Sequence, residues 1–334
     1  MKKKFLLLFY FVMTYLGFIK LFYWLNRNKK IILTYHNIIP NHLFDDSCHL
    51  GVSHTESVFK EQIKLIYQRF DRNQCLITFD DGYKNQLEVA AKILSDHHLQ
   101  GIFFVSFQSL LSGQTLTIDR IMMWLSYVPA GNYHMLGSDI TINNATRDLV
   151  AAKLYQQLID DIKLWDVIEE NLNNAFPFDQ LSIDDELVRL RFKPLTADDL
   201  EILKNDGHLV GSHSWDHRPL GRLSLEEQKE DFSKCIVLAN QYCNSWLYSY
   251  PFGGIQEVSP LTTKLCAESG FSSAFMNMSP SPAWVDADRN YTLPRLSLPN
   301  VKNKYLLDAK LSGFESFCKS IVRGMRSEDL YDKK

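Results

Sequence analysis

The six cysteines of this 334-residue chain form no C-x-x-C pair and no zinc-finger spacing, which excludes the common thiolate-built metal modules. Cys48, Cys75, Cys235, Cys243, Cys266 and Cys318 read instead as separate, mostly buried thiols. No segment is low in complexity and no repeat recurs at a fixed period, which excludes disordered tracts and solenoids. The body also lacks a basic surplus. Residues 31–334 carry 29 basic against 39 acidic side chains, a net charge of −10. Phosphate binding needs a basic surface, so no nucleic acid is expected as a partner.

The first thirty residues lack something else: they contain no acid at all. Seven bases (Lys2, Lys3, Lys4, Lys20, Arg27, Lys29, Lys30) flank or interrupt a run from residue 5 to 25 whose one charge is Lys20. As one helix that run is about 31 Å long at ~1.5 Å per residue, close to a ~30 Å hydrocarbon core. It is too long for a usual signal-peptide core, and no small-x-small cleavage site follows it. The expectation is an uncleaved, single-pass anchor with Lys20 snorkelling and Tyr23 and Trp24 at the interface. Bases on both flanks leave the orientation open; an extracytoplasmic body is expected.

After Lys30, short apolar strands alternate with helical stretches. Strands are expected at 31–35, 75–79, 101–107, 209–211, 246–250, 272–276 and 293–298. Helices are expected at 55–70, 87–94 and 197–205, from Ser224 onward with Glu227 completing a capping box, and at 261–268. Such alternation implies parallel strands joined by right-handed crossovers. The count favours a closed barrel over an open sheet. Between residues 110 and 194 the rhythm breaks into a helical insertion, with one long amphipathic helix at 148–168 and another at 182–191. The domain reading is an anchor at 1–30, a catalytic domain at 31–305 holding the insertion, and a tail at 306–334.

Three segments carry chemistry, and each follows a strand. Asp80-Asp81-Gly82 ends the apolar Cys75-Leu-Ile-Thr-Phe79. Asp-Asp is uninformative alone, since four other such pairs occur, but strand carboxyl ends form the active face of an α/β fold. Adjacent residues of an extended chain point opposite ways, so the two carboxylates can hold separate roles. His213-Ser-Trp-Asp-His217 has H-x-x-x-H spacing; as a helical turn it would aim both imidazoles at one cation. Two imidazoles and one carboxylate leave metal positions open for catalysis. In Tyr250-Pro251-Phe252-Gly253 the proline fixes φ and the glycine lets backbone approach a ligand. His36 closes the first strand on the same face.

Thr78-Phe-Asp-Asp-Gly82, Ser212-His-Ser-Trp-Asp-His217 and Tyr250-Pro-Phe-Gly253 stand in the order found in polysaccharide deacetylases, and the chain resembles that family over about residues 31–108 and 194–298. The opening Leu33-Thr-Tyr-His-Asn37 is similar to the branch acting on exopolysaccharides and surface glycans. The resemblance implies an α/β fold of the deformed (β/α) barrel type. It implies Asp80 as catalytic base and Asp81, His213 and His217 as ligands of a divalent metal, zinc being the first expectation. It also implies the Phe252 N–H as oxyanion donor, with Tyr250 and Pro251 beside the substrate. Two family positions differ. Ser249 stands where many members have an arginine, and no histidine follows His217 to serve as general acid. His36 is the candidate acid, and Arg295 the candidate replacement beside Asp80.

The expected activity is metal-dependent removal of N-acetyl groups from amino sugars of an envelope or extracellular polysaccharide. Two alternatives stand beside it. One is an inactive, membrane-anchored glycan-binding protein. The other is a deacetylase of lipid-linked or nucleotide-linked sugar precursors.

Overall fold

The computed structural model describes residues 2–45, 52–71, 74–277, 284–285 and 290–323. Cys48 lies outside the described residues. The strands, in chain order, are β1 (Lys30–Tyr35), β2 (Asn37–Ile39), β3 (Ser53–Thr55), β4 (Cys75–Phe79), β5 (Gly101–Val105), β6 (Gly131–Met135), β7 (Ser138–Ile142), β8 (Leu209–Ser212), β9 (Leu247–Ser249), β10 (Ser273–Asn277), β11 (Trp284–Val285) and β12 (Leu293–Ser297). Seven of them, β1, β4, β5, β8, β9, β10 and β12, pair in parallel in that order, and β12 returns to β1. The sheet is therefore a closed seven-stranded barrel. β11 adds an antiparallel pairing at the start of β1, through Lys30 and Ile31.

The strand pattern explains the closure. Ile31, Leu33 and Tyr35 of β1 face the surrounding helices, as do Cys75, Ile77 and Phe79 of β4. The alternate residues Ile32, Ile102, Phe104 and Phe275 fill the barrel with Leu76, Leu209, Leu247 and Leu293. A strand apolar on both faces needs cover on both, and parallel strands with helical crossovers supply it.

The helices, again in chain order, are α1 (Lys2–Tyr15), α2 (Phe18–Leu25), α3 (Glu56–Arg69), α4 (Lys92–Asp96), α5 (Phe107–Ser112), α6 (Thr117–Tyr127), α7 (Arg147–Asp160), α8 (Ile168–Ala175), α9 (Asp185–Phe192), α10 (Ala197–Asn205), α11 (Leu225–Tyr242), α12 (Pro260–Glu268), α13 (Lys304–Leu311) and α14 (Phe314–Arg323). Local capping sets several starts. Thr55 caps α3 through the Val58 N–H, and Thr196, Ser224 and Ser259 each complete a capping box. Ahead of α4, residues Gln86–Ala91 wind as a wider π-turn, a device common at functional sites.

Three expectations need correction. Residues 5–25 are not one helix. α1 ends at Tyr15; Gly17, at a φ of +84°, turns the chain in the left-handed conformation glycine adopts without strain, and α2 departs at 71°. No single helix among the described residues is long and apolar enough to cross a membrane; only this bent pair passes by length and composition. The stretch 148–168 is also broken. Asp161 leaves helical geometry, and its carboxylate accepts from the Lys163 N–H to cap a 3₁₀ turn at Ile162–Asp166. Finally, the insertion is not wholly helical. β6 and β7 form a hairpin turned by Leu136 and Gly137, both at positive φ.

The insertion builds its own core. Leu116, Ile121, Trp124, Leu125, Leu154, Leu158, Trp165 and Leu172 bury against one another, apart from the barrel's helical layer. Its return segment is pinned beside the Asp80-Asp81-Gly82 turn, where Lys84 N donates to Lys193 O and Leu195 N donates to Gly82 O.

Candidate active site

Strand alternation delivers the first site residues. On β4, Thr78 and the following Asp80 point into the barrel. Arg295, on the inward face of β12, meets them there. Its guanidinium donates to both Asp80 oxygens at 2.6 Å and to Thr78 Oγ1 at 3.1 Å. Ser249 Oγ adds a donation to Asp80 Oδ1 at 3.1 Å. Asp80 and Arg295 are both buried. Burial alone raises a carboxyl pKa, but Arg295, aided by His213 and His36, overrides it and holds Asp80 at about 2. Ser249 and Arg295 thus both hold the Asp80 carboxylate.

Asp81 points elsewhere because its backbone turns. Its φ is +81°, followed by Gly82 at +76°. A Cβ on Gly82 would sit 2.7 Å from Val105 Cγ1, so the turn requires glycine. The turned carboxylate meets two imidazoles: Asp81 Oδ1 lies 3.4 Å from His213 Nε2 and 3.3 Å from His217 Nε2. The donor atoms of all three lie within 4.8 Å of one another, and all three residues are buried. Burial would raise Asp81 and lower His217. Their mutual contacts win, placing Asp81 well below the usual carboxylate range and His217 above the usual imidazole range.

The two histidines converge by a route other than the expected helical turn. Residues 213–217 form a loop, with Ser214 at φ +65° and His217 at φ +63°. Asp231 of α11 holds that loop by accepting from the Trp215 N–H at 2.9 Å. The His213 ring is oriented by a 2.7 Å contact between Nδ1 and the Ser249 carbonyl, the usual outer support for a metal-ligating imidazole. Four of the six described non-glycine residues at positive φ (Asp81, Ser214, His217, Phe252) lie at this site. Strained backbone of that kind gathers where side-chain direction matters more than local ease.

The residues fit a divalent metal. Ligands about 2.0–2.2 Å from a tetrahedral zinc lie roughly 3.3–3.6 Å apart, and the two Asp81–imidazole distances fall there. Asp81 Oδ1 is a buried oxygen with no hydrogen-bond partner, an expensive arrangement that a cation would relieve.

His36 follows β1 at the barrel mouth. Its Nε2 stands 3.9 Å from Asp80 Oδ2, and its carbonyl accepts from Gln86 of the π-turn at 2.9 Å. Gln86 also donates to the Asp80 carbonyl, so one buried amide ties both strand ends together. Burial lowers the His36 pKa, partly countered by Asp81 and Asp80. Phe252, at φ +60°, lays its ring 5.1 Å from that of His217. Tyr250 and Pro251 do not reach the pocket. Tyr250 is fully buried in the helical layer with its hydroxyl donating to the Tyr291 carbonyl, and Pro251 is buried behind the turn. Alternation along the chain sends Tyr250 outward from the barrel.

A cavity of about 220 Å³ opens over these groups. Its far wall comes from the insertion, which sequence reading left without site residues: Ile118, Asp119 and Met122 of α6, Tyr155 of α7 and Arg191 of α9. Arg191 donates to Asp119 at 2.9 Å, and Tyr83 donates to the other Asp119 oxygen at 2.5 Å. A signal existed. Asp119 sits on the apolar face of a helix between Ile118, Ile121 and Met122, where a charge needs a buried partner.

Residues 167–269 match the family model described as polysaccharide deacetylase. That stretch contains His213, His217 and the Tyr250–Gly253 turn; the Asp80-Asp81 pair lies before it. A search of curated proteins found no match. Among solved structures, the Streptococcus pyogenes deacetylase PplD in complex with acetate aligns over 84% of this chain and 96% of its own, at 13% identity and a TM-score of 0.52. The putative polysaccharide deacetylase BA0330 from Bacillus anthracis aligns over 83% and 68%, at 11% identity and a TM-score of 0.50. At such identities the likeness is one of fold. The family match over residues 167–269, taken with the ordered motifs, points to a carbohydrate N-deacetylase. Over residues 167–269 the chain is similar to polysaccharide deacetylases.

Proposed function

We propose that this protein removes N-acetyl groups from amino sugars of an envelope or extracellular polysaccharide, with a divalent cation held by Asp81, His213 and His217. The observation that carries the reading is the pair of 3.3 and 3.4 Å ligand separations beside the Arg295-clamped Asp80. A cation there would acidify water and polarise the acyl carbonyl. Asp80, kept ionised by Arg295, accepts the proton of the attacking water. The Phe252 N–H, presented by the left-handed turn, faces the carbonyl oxygen as negative charge develops on it. His36 protonates the departing amine. Its lowered pKa makes the imidazolium a strong donor, at the expense of a smaller protonated fraction at neutral pH. A module that only binds glycan has no use for an ionised carboxylate clamped beside a metal triad.

Metal content by elemental analysis, together with acetate release from a panel of N-acetylated glycans, tests the reading. Stoichiometric divalent metal with metal-dependent acetate release supports it. Absence of both after metal supplementation overturns it. The bent N-terminal helices are proposed to hold the enzyme at a membrane.

A further inference from the structure

The bent pair does not stand free of the body. Tyr10 of α1 and Ile19 of α2 are buried against Ala309 of α13 and Phe314 of α14. Phe22 stacks edge-on with Phe314 at 5.2 Å and lies 5.0 Å from Phe317. Asn26 donates to the Ser312 carbonyl at 3.0 Å, and Tyr23 donates to Asp308 at 2.9 Å. A helix that left the protein to cross a bilayer would not make these contacts. The opposite faces stay open. Phe5, Leu8, Tyr15, Leu16, Leu21 and Trp24 are exposed, and α14 continues the surface with Phe317 at 48% and Ile321 at 63%. Exposed apolar side chains gathered on neighbouring helices mark an association surface.

We infer that α1, α2 and α14 together form one seat that lies in the surface of an anionic lipid bilayer, at the barrel end opposite the catalytic mouth. Charge selects the occupant. Lys4, Lys20, Arg27, Lys29 and Lys30 are exposed around the seat, on a chain whose remaining body is acidic. A second copy of the protein would bring the same bases into apposition, whereas anionic headgroups neutralise them. Exposed Trp24 and Tyr15 suit the headgroup boundary.

Topology fixes the direction. α2 ends five residues before β1 begins, Tyr23 packs on Phe70 just before β4, and Gln74 donates to the Arg27 carbonyl. All are strand starts. His36, Asp80 and His213 follow strand ends. A six-residue strand separates the two levels by about 20 Å. The mouth therefore opens to water, which favours a soluble or wall-borne polymer over a lipid-linked sugar. This refines the substrate class of the proposed activity and rests on that reading, but the seat itself does not.

The test uses the full chain with phosphatidylcholine vesicles, with and without phosphatidylglycerol. Wild type is expected to co-float with the anionic vesicles. Ile321→Asp should lower the partition several-fold, because an apolar side chain no longer buries; Ile321 is 63% exposed, and Leu25→Asp on α2, 52% exposed, serves as a second variant. Brominated-chain lipids should quench wild type and Trp165→Phe alike, and Trp24→Phe should lose most of the quenching. Wild-type partition by both surface variants overturns the seat, as does a dimer that ignores vesicles. Quenching lost in Trp165→Phe and kept in Trp24→Phe reverses the orientation. None of these readouts depends on deacetylation.

Discussion

At the scale of single residues, the two adjacent aspartates separate by direction. Asp80 continues the strand inward to Arg295; Asp81 is turned by its positive φ toward the imidazoles. Asp81→Ala, His213→Ala and His217→Ala should each lose bound metal and turnover. Asp80→Asn should keep stoichiometric metal while turnover falls by about 10²–10⁴. Equal metal loss in Asp80→Asn would mean that both carboxylates are ligands. For His36, a general acid predicts a similar loss in His36→Ala with an amide substrate and a much smaller loss with an activated ester, whose leaving group needs no proton. Parallel losses on both substrates would assign His36 to positioning.

The same scale holds a buried ion pair in the barrel interior, Arg295 with Asp80. Arg295→Met leaves the Asp80 carboxylate buried without its partner, at a cost of about 3–5 kcal/mol. The double change Arg295→Met/Asp80→Asn should recover much of it in denaturant titrations, which a purely steric role for Arg295 would not allow. The sign with pH follows from the depressed pKa. The contribution of Asp80 is present above the usual carboxylate value and is lost as pH falls toward about 2.

At the scale of elements, the loop between β8 and α11 that carries His213 and His217 is held by Asp231. Burial, with Asp216 nearby, pushes this carboxyl up to about 7 although it accepts from Trp215 N, Tyr248 and Cys235. A raised carboxyl pKa gives stability that is complete below the unfolded value near 4 and is lost as pH rises through about 7. Asp231→Asn should flatten this dependence, so its melting temperature relative to wild type should climb between pH 4 and 8. A constant offset across that range would leave Asp231 with no titrating role. The turn after β9 allows a second check. A Cβ on Gly253 would lie 2.6 Å from the Asn277 nitrogen, at φ +63°. Gly253→Ala should therefore displace Phe252 and lower turnover with little change in bound metal.

Elements also show where sequence reading succeeds. The barrel strands are legible because they are short apolar runs separated by capped helices, and Thr196, Ser224 and Ser259 mark starts locally. The histidine pair is legible by spacing, yet its geometry is not: the positive φ of Ser214 and His217 depends on the packed loop over Asp231. Arg295 lies 215 residues from Asp80, and only barrel closure joins them. The break at Gly17 was missed because hydropathy counts residues and ignores the one glycine able to turn left-handed. Asp119 and Arg191 meet each other only once α6 and α9 pack, and Tyr83 reaches Asp119 only from the barrel side.

At the scale of the whole molecule, two hydrophobic cores share one pocket. The barrel carries the proposed acid His36, the proposed base Asp80 and the proposed ligands Asp81, His213 and His217. The insertion core, with Trp124, Leu158 and Leu172 at its centre, carries the facing wall. Tyr83, next to the Asp-Asp-Gly turn, belongs to the insertion core and fixes Asp119, while Phe252 packs on it from the other side through Tyr155 and Trp165. A core of its own lets a segment open as a cooperative unit without melting its neighbour. Amides of α6 and α7 should then exchange with solvent together, and earlier than those of β1 and β4. Each such opening would carry Asp119, Tyr155 and Arg191 away from Asp81, His213 and His217 as a body. The width of glycan chain that can enter is then governed by a local folding equilibrium, one that substitutions far from the triad, in the packing of Trp124 or Leu158, can tune.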